Sequence, residues 1–272
     1  MFLSFSKYQG AGNDFIIIDD RAVFFPCENQ KFISNLCHRR FGIGADGLLL
    51  MQASSCANFR IRIFNADGKE VGMCGNGMRC FIHYLHSLGF REEKFLIETT
   101  HDTVECQIKG DKISVKLSEP HVLHWGVEIE HEDKSLEAYV VHTGVPHAVV
   151  FVEELDQVDV EGLGRKIRNH TLFAPHGVNV NFAKIGSDGS VRVRTYERGV
   201  EAETYSCGTG AAAVALTVSQ KWDSPSPLRI IPFSKECLEV HVSSSKLGGK
   251  ELELVGSASC VFEGRIPVEQ FL

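Results

Sequence analysis

The chain has 272 residues, 43% of them hydrophobic, and a formal net charge of −7. That length exceeds the usual single domain and supplies apolar residues for two cores. The acidic balance, with no basic run, excludes a general nucleic-acid binder, and no apolar stretch approaches a membrane span.

Phe2 to Phe5 and Phe15 to Ile18 read as strands flanking the loop Gly10-Ala11-Gly12-Asn13-Asp14. Glu28 to Arg40 predicts a helix, with Phe32, Leu36 and Arg40 at helical spacing. Gly42-Ile43-Gly44-Ala45-Asp46-Gly47 matches the dinucleotide fingerprint, but a helix precedes it and the apolar strand Leu48 to Met51 follows. The fingerprint needs strand then helix, so a tight helix-to-strand turn is the better reading. No nicotinamide or flavin is expected, and no lysine context points to a pyridoxal Schiff base. Phe95 to Glu98, Val104 to Ile108 and Ile113 to Leu117 read as short strands, and Pro120 as a boundary. Beyond it, Ala138 to Val141, Ala148 to Val152, Val178 to Phe182 and Val191 to Thr195 read as strands, and Val160 to Asn169 as a helix.

Within this order one unit occurs twice. Phe59 to Gly68 alternates as a strand, turns at glycine and leads to Cys74-Gly75-Asn76-Gly77, which opens a helix ending at Gly89. Val191 to Gly199 does the same before Cys207-Gly208-Thr209-Gly210, whose helix stops before Pro225. A cysteine at a helix N-terminus meets unpaired N–H groups and the positive end of the helix dipole, which favour a thiolate. Two such cysteines suggest an acid/base pair of thiols. If the two copies pack about a pseudo-twofold axis, both helix starts face one cleft.

The other seven cysteines read as small buried hydrophobes. Nine is an odd count, which argues against a disulfide framework, and there is no C-x-x-C or histidine pair at zinc spacing. Met1 to Lys7 lacks the charged front, apolar centre and cleavage site of a signal peptide, so a cytoplasmic location is expected.

Gly12-Asn13-Asp14-Phe15, the stretch Arg40 to Gly47, Phe64-Asn65-Ala66-Asp67-Gly68 and Cys74 to Cys80 are followed in order by Pro146-His147, Asn179, Glu197-Arg198-Gly199 and Cys207 to Gly210. Each motif is weak alone. The ordered set, reaching from Asn13 to Ala213 at least, resembles the diaminopimelate epimerases. The resemblance implies an α/β (α+β) fold of two similar pseudo-symmetric domains, each a curved mixed β-sheet wrapped around a central helix. The domains are expected at residues 1–118 with 263–272, carrying Cys74, and at 119–262, carrying Cys207, with the active site in the cleft between them. It further implies a homodimeric isomerase that needs no cofactor or metal and interconverts LL- and meso-diaminopimelate for lysine and peptidoglycan precursors. Its partner is then a small amino acid, not nucleic acid or a membrane.

Inverting an α-carbon means removing a proton from one face and returning one to the other, which suits two opposed groups, Cys74 and Cys207. Gly75, Asn76, Gly208 and Thr209 would bind the α-carboxylate through helix-start N–H groups. By motif match Asn13, Asn65 and Asn179 bind substrate amino and carboxylate groups, and Arg198 holds the distal carboxylate. Glu197 accepts from an ammonium and, with His147, sets the protonation of the thiols. Against these stand plainer roles: asparagines cap turns, Glu–Arg pairs decorate surfaces, and Asp67 reads as a turn residue. The chain departs from the family pattern at Val145, where many members carry asparagine, at Gly47, at Ser206, and by one extra residue between Arg198 and Cys207. Val145 leaves open a racemase of relaxed specificity acting on a shorter amino acid such as glutamate, or a proline-racemase-like relative. A dithiol redox protein is the rival from another class.

Overall fold

Runs such as Ile16-Ile17-Ile18 and Leu48-Leu49-Leu50 form strands buried on both faces, as continuous rather than alternating apolarity requires. The computed structural model describes residues 2–131, 134–245, 249–267, 269 and 271. In chain order the elements begin with β1 (Phe2–Gly10), β2 (Asn13–Asp19), α1 (Gln30–Cys37), β3 (Gly47–Gln52), β4 (Phe59–Asn65), β5 (Glu70–Val71) and α2 (Gly75–Ser87). There follow β6 (Lys94–Glu98), β7 (Thr103–Lys109), β8 (Lys112–Lys116), β9 (His121–His131), β10 (Lys134–His142), β11 (Pro146–Phe151) and α3 (Val160–Arg168). The chain ends with β12 (Asn179–Ile185), β13 (Val191–Glu197), β14 (Ala202–Thr204), α4 (Gly208–Trp222), β15 (Leu228–Ile231), β16 (Leu238–Ser244), β17 (Lys250–Gly256) and β18 (Ser259–Pro267). Among the described residues no helix is long and apolar enough to cross a membrane.

The chain divides into two compact units, residues 1–115 with 256–272 and residues 116–255. The C-terminal segment thus joins the first unit from residue 256, not from the expected 263, because β18 pairs with β1 from Ser259 to Pro267. The first boundary moves likewise, from 118 to 115. The helix expected over Glu28 to Arg40 is shorter: Asn29 caps it by accepting from Phe32 N–H, and it ends at Cys37, leaving Arg39 and Arg40 in the following loop.

The units share one connectivity. In the first, β2 runs parallel to β3, β3 antiparallel to β4, and β4 parallel to β6; β7 and β8 continue antiparallel, β5 hairpins onto β4, and β1 joins β2 to β18. In the second, β11 is parallel to β12, β12 antiparallel to β13, and β13 parallel to β15; β16 and β17 continue antiparallel, β14 hairpins onto β13, and β10 joins β11 to β9. The parallel ladders begin at matching places, Phe15 opposite Gly47 and His147 opposite Asn179.

Strand alternation decides which side chains meet which helix. Ile16, Ile18, Leu48 and Leu50 cluster with Phe32, Ile33 and Leu36 of α1. Ala148, Val150, Val180 and Phe182 cluster with Val160 and Ile167 of α3. The intervening residues, Phe15 and Leu49 in one unit and His147 and Asn181 in the other, point to the opposite face, where α2 and α4 lie. Both helices are buried almost all round, and each fully buried Phe or Leu such as Phe81 and Leu216 contributes roughly 1.5–3 kcal/mol.

Candidate active site

Cys74 and Cys207 hold the same local position. Each precedes its helix in extended conformation, with φ −145, ψ 112 and φ −118, ψ 111 respectively. Their carbonyls accept the first helical bonds, from Met78 N–H at 2.8 Å and Ala211 N–H at 2.9 Å. Helix geometry leaves the N–H groups of Gly75, Asn76, Gly208 and Thr209 without intrahelical acceptors, beside the sulfurs, where they suit an anion.

Around Cys74, Gly77 N–H points at Sγ from 3.4 Å, and Sγ lies 3.9 Å from Asn13 Oδ1, which also accepts from Asn76 Nδ2 at 3.4 Å. Asn13 is aimed by Asp46: its Nδ2 donates to Asp46 Oδ2 at 2.7 Å, which leaves the carbonyl on the thiol side. Asp46 is anchored by Arg39 at 2.6 Å, and the same guanidinium holds Asp14 at 2.7 Å, where Lys7 also bonds at 2.6 Å. Burial alone would raise the Asp14 pKa, but the bonds from Arg39 and Lys7 outweigh it and hold the carboxyl at about 2. The buried Arg79 donates to Asn76 Oδ1 at 2.9 Å and to Ser257 O at 3.2 Å, fixing the first turn of α2. Asn65 ends β4 opposite Gly47, exposed, its side chain without a hydrogen-bond partner among the described residues. Gly47 itself admits no side chain, since a Cβ there would lie 2.5 Å from Phe64 O.

Around Cys207, Sγ lies 3.5 Å from Thr209 Oγ1, and Thr209 Oγ1 lies 2.9 Å from His147 Nε2. His147 Nδ1 faces Asn181 Nδ2 at 3.1 Å, and Asn181 Oδ1 accepts from Thr195 Oγ1 at 3.0 Å. Burial, with His142 and Arg198 adding positive charge nearby, lowers the His147 pKa to about 3, so the ring is neutral. His147 lies fully buried behind Thr209, whose hydroxyl stands within reach of both the ring and the Cys207 sulfur. Thr143 Oγ1 donates to Thr209 O at 2.9 Å and ties the Gly144-Val145 loop to the helix start.

Asn179 and Arg198 form a second group. Asn179 Oδ1 accepts from Arg198 N–H at 2.8 Å, which leaves its Nδ2 without a partner among the described residues. Arg198 Nη1 donates to His176 O and Gly177 O at 3.3 and 3.2 Å, leaving Nη2 and Nε available to a carboxylate. Glu197 ends β13, half-buried, just before this arginine.

The structure thus gathers Asn13, Asn76 and Cys74 in the first unit, and His147, Thr209 and Cys207 in the second. Sequence reasoning assigned no role to Asp14, Asp46, Arg39, Lys7, Asn181 or Thr195. Asn181 had a signal: Val178-Asn179-Val180-Asn181 alternates polar residues through a strand whose other face is core. Among the described residues no cluster of three His, Cys, Asp or Glu could hold a metal ion.

The family model for diaminopimelate epimerase matches residues 5–123 and 139–246. A curated diaminopimelate epimerase from Archaeoglobus fulgidus is 39% identical, over 97% of this chain and 96% of its own. Another from Hydrogenobaculum sp. is 40% identical over 98% and 99%. Among solved structures, a PhzF-family phenazine biosynthesis protein from Bacillus anthracis superposes with a TM-score of 0.81 at 16% identity, covering 98% of this chain and 99% of that one. A probable proline racemase from Agrobacterium radiobacter gives 0.76 at 14% identity, covering 99% and 94%. At such identity these structures speak to the fold alone, so family membership rests on the family model and the curated relatives. By those matches, the chain is an isomerase belonging to the diaminopimelate epimerase family.

Proposed function

We propose that the protein interconverts LL- and meso-diaminopimelate without a cofactor, using Cys74 and Cys207 as the acid/base pair, in lysine and peptidoglycan precursor synthesis in the cytoplasm. The observation that carries this reading is the duplicated helix start, with a cysteine at the same backbone position in both units. One sulfur, as thiolate, takes the α-hydrogen as a proton, and the electron pair remains on the α-carbon and spreads into the carboxylate. The other sulfur, as thiol, returns a proton to the opposite face. The first-turn N–H groups of Gly75, Asn76, Gly208 and Thr209 stabilise the negative charge developing on the carboxylate. Asn13, Asn65 and Asn179 orient the amino and carboxylate groups, and Arg198 reads the distal carboxylate with its remaining donors. Glu197 accepts from an ammonium.

The chemistry requires both helix starts to reach one α-carbon, so each thiol is indispensable. Cys74→Ala and Cys207→Ala should each slow inversion of enantiopure LL-diaminopimelate by about 100-fold or more, the usual worth of a positioned general acid or base. NMR in deuterated buffer, with no added cofactor, follows both proton exchange and the new isomer. Near-wild-type inversion by either variant would sink the two-thiol mechanism. The exposed Phe2, Val261 and Phe262 on β1 and β18 support a homodimer, for which light scattering should return twice the 30.2 kDa chain mass.

A further inference from the structure

The side chains of Asn76 and Asn13 stand head to tail in the first unit, and each end of the pair meets a charged group that can bond in only one sense. We propose that Asp46 is a positioning residue for the reaction: it acts through Asn13, holding that amide so that its carbonyl, not its amino group, faces the Cys74 helix start. Arg79 sets the other end of the pair through Asn76. The inference rests on the function proposed above.

The direction of each bond follows from the two ends. A guanidinium only donates, so Arg79 Nη2 makes Asn76 Oδ1 the acceptor, at 2.9 Å. The Asn76 amino group then donates to Asn13 Oδ1, at 3.4 Å. A carboxylate only accepts, so Asp46 Oδ2 takes the Asn13 amino group, at 2.7 Å. Both ends demand one orientation of Asn13. Asp46 is itself held, since Arg39 Nη2 donates to its Oδ1 at 2.6 Å and Asp14 N–H to its Oδ2 at 3.2 Å. Asn13 Oδ1 lies 3.9 Å from Cys74 Sγ, beside the place of the reacting carbon in the proposed mechanism. A carbonyl there accepts from the ammonium on that carbon, whereas a turned amide would present N–H donors and repel it.

The second unit shows that the fold does not require this set. Counting from the matched ladder starts, Asn13 corresponds to Val145 and Asp46 to Val178. Counting from the two helix-start cysteines, Asn76 corresponds to Thr209 and Arg79 to Ala212. Val178 and Ala212 are buried, so the same corner closes there with apolar side chains. The first unit has also made room for its guanidinium. Tyr8 lies opposite Phe15 and Val141 opposite His147, which makes Gly10 the counterpart of Thr143. Thr143 fills its position and donates to Thr209 O at 2.9 Å, whereas a Cβ on Gly10 would lie 3.3 Å from Asn76 O and 3.5 Å from Arg79 Nη2. Arg79 is fully buried, and a buried cation is costly unless its bonds are used. The duplicate avoids that cost, which points to a task for the pair rather than to packing.

The ammonium carries its charge in substrate and transition state alike, so the orientation of Asn13 bears on KM more than on kcat. The test measures both constants for LL-diaminopimelate by NMR in deuterated buffer. Asp46→Ala frees the Asn13 amide to turn and should raise KM roughly 10-fold or more, the worth of a hydrogen bond to a charged group, with kcat changed far less. Asp46→Asn still offers one oxygen to the Asn13 amino group and Asp14 N–H, while the exposed Arg39 keeps its bonds to Asp14. Its KM should stay within about 3-fold of the wild type. In an Asn13→Ala background, Asp46→Ala should add nothing, because the group it positions is gone. A carboxylate that merely supports the loop would keep its effect in that background, and Asn would fail there as Ala does. An unchanged KM in Asp46→Ala, an Asp46→Asn as impaired as the alanine variant, or an undiminished effect without Asn13 overturns the proposal. Should Cys74→Ala and Cys207→Ala both lose inversion while any of these results appears, only this inference fails. Inversion retained in either cysteine variant would instead remove the reading beneath it.

Discussion

Val145 stands where its duplicate carries Asn13, since each lies two residues before the start of its parallel ladder. Asn13 offers a carbonyl to Cys74 and Asn76; valine offers nothing polar, although the loop that carries it is held against the second helix start by Thr143 and Thr209. Gly144, with φ +104, lets the loop turn there, and a Cβ on it would come within 3.8 Å of Thr209 Cγ2. On the proposed reading, valine at 145 withdraws one polar contact from the carboxylate site. Replacing Val145 by Asn should restore one hydrogen bond, worth about 0.5–1.5 kcal/mol, or roughly 2- to 12-fold in preference. The measure is kcat/KM for diaminopimelate relative to glutamate. A ratio unchanged by Val145→Asn would mean that this side chain does not face the substrate, and relaxed specificity would lose its support. At the same scale, strand alternation turns His147 into the core, behind Thr209, a placement that its neighbours Gly144 and Pro146 in the sequence do not reveal.

At the level of elements, the second glycine of each Cys-Gly-x-Gly phrase occupies the third helical residue, where it lets the helix press onto the sheet. The two are not equivalent. A Cβ on Gly210 would sit 2.3 Å from Asn181 Oδ1, an amide pinned by Thr195 and the backbone, while one on Gly77 would meet the end of the Leu49 side chain at 3.3 Å. Alanine gains about 0.5–1 kcal/mol over glycine in a helix, against an overpacking cost of about 1–3 kcal/mol where neighbours cannot give. Gly77→Ala should therefore be near neutral and Gly210→Ala clearly destabilising, as urea unfolding midpoints would show. Equal effects would mean that the Asn181 amide is free to move. The repeated strand–turn–helix was legible because its signals are local: alternation, glycine turns and a helix-start phrase. The short strands β15, β16 and β17 and the polar β9 were not. Each is short or interrupted by polar residues, and their pairing partners are fixed only by the sheet. The ion cluster that aims Asn13 was hidden for the same reason, since Lys7, Asp14, Arg39 and Asp46 meet only after three separate elements fold.

For the whole molecule, the buried imidazole of His147 couples folding to pH. His147 has its pKa lowered to about 3 in the folded protein by burial, against about 6.5 when unfolded. Above pH 6.5 both states hold it neutral, and its contribution to stability is complete. As pH falls below 6.5 the unfolded chain binds a proton that the folded one refuses, so stability declines until the folded value near 3 is reached. Asp14 acts in a lower window. Although burial opposes it, the bonds from Arg39 and Lys7 bring its folded pKa to about 2, so its contribution is full above pH ~4 and is lost on the way down to 2. Acid sensitivity that begins above pH 5 is therefore a mark of the imidazole rather than of this carboxylate. One proton of difference between the states gives a slope of about 1.4 kcal/mol per pH unit. His147→Gln keeps a hydrogen-bonding side chain in place but removes the titration. Urea unfolding at pH 7.5, 6 and 5 should show the wild type losing stability faster than His147→Gln, with the two curves converging in slope above pH 7. Because the chain has two compact units, the comparison is made on the transition reported by Trp125 and Trp222, both of which lie in the unit that contains His147. Parallel curves across that range would show that the buried ring is not kept neutral by the fold.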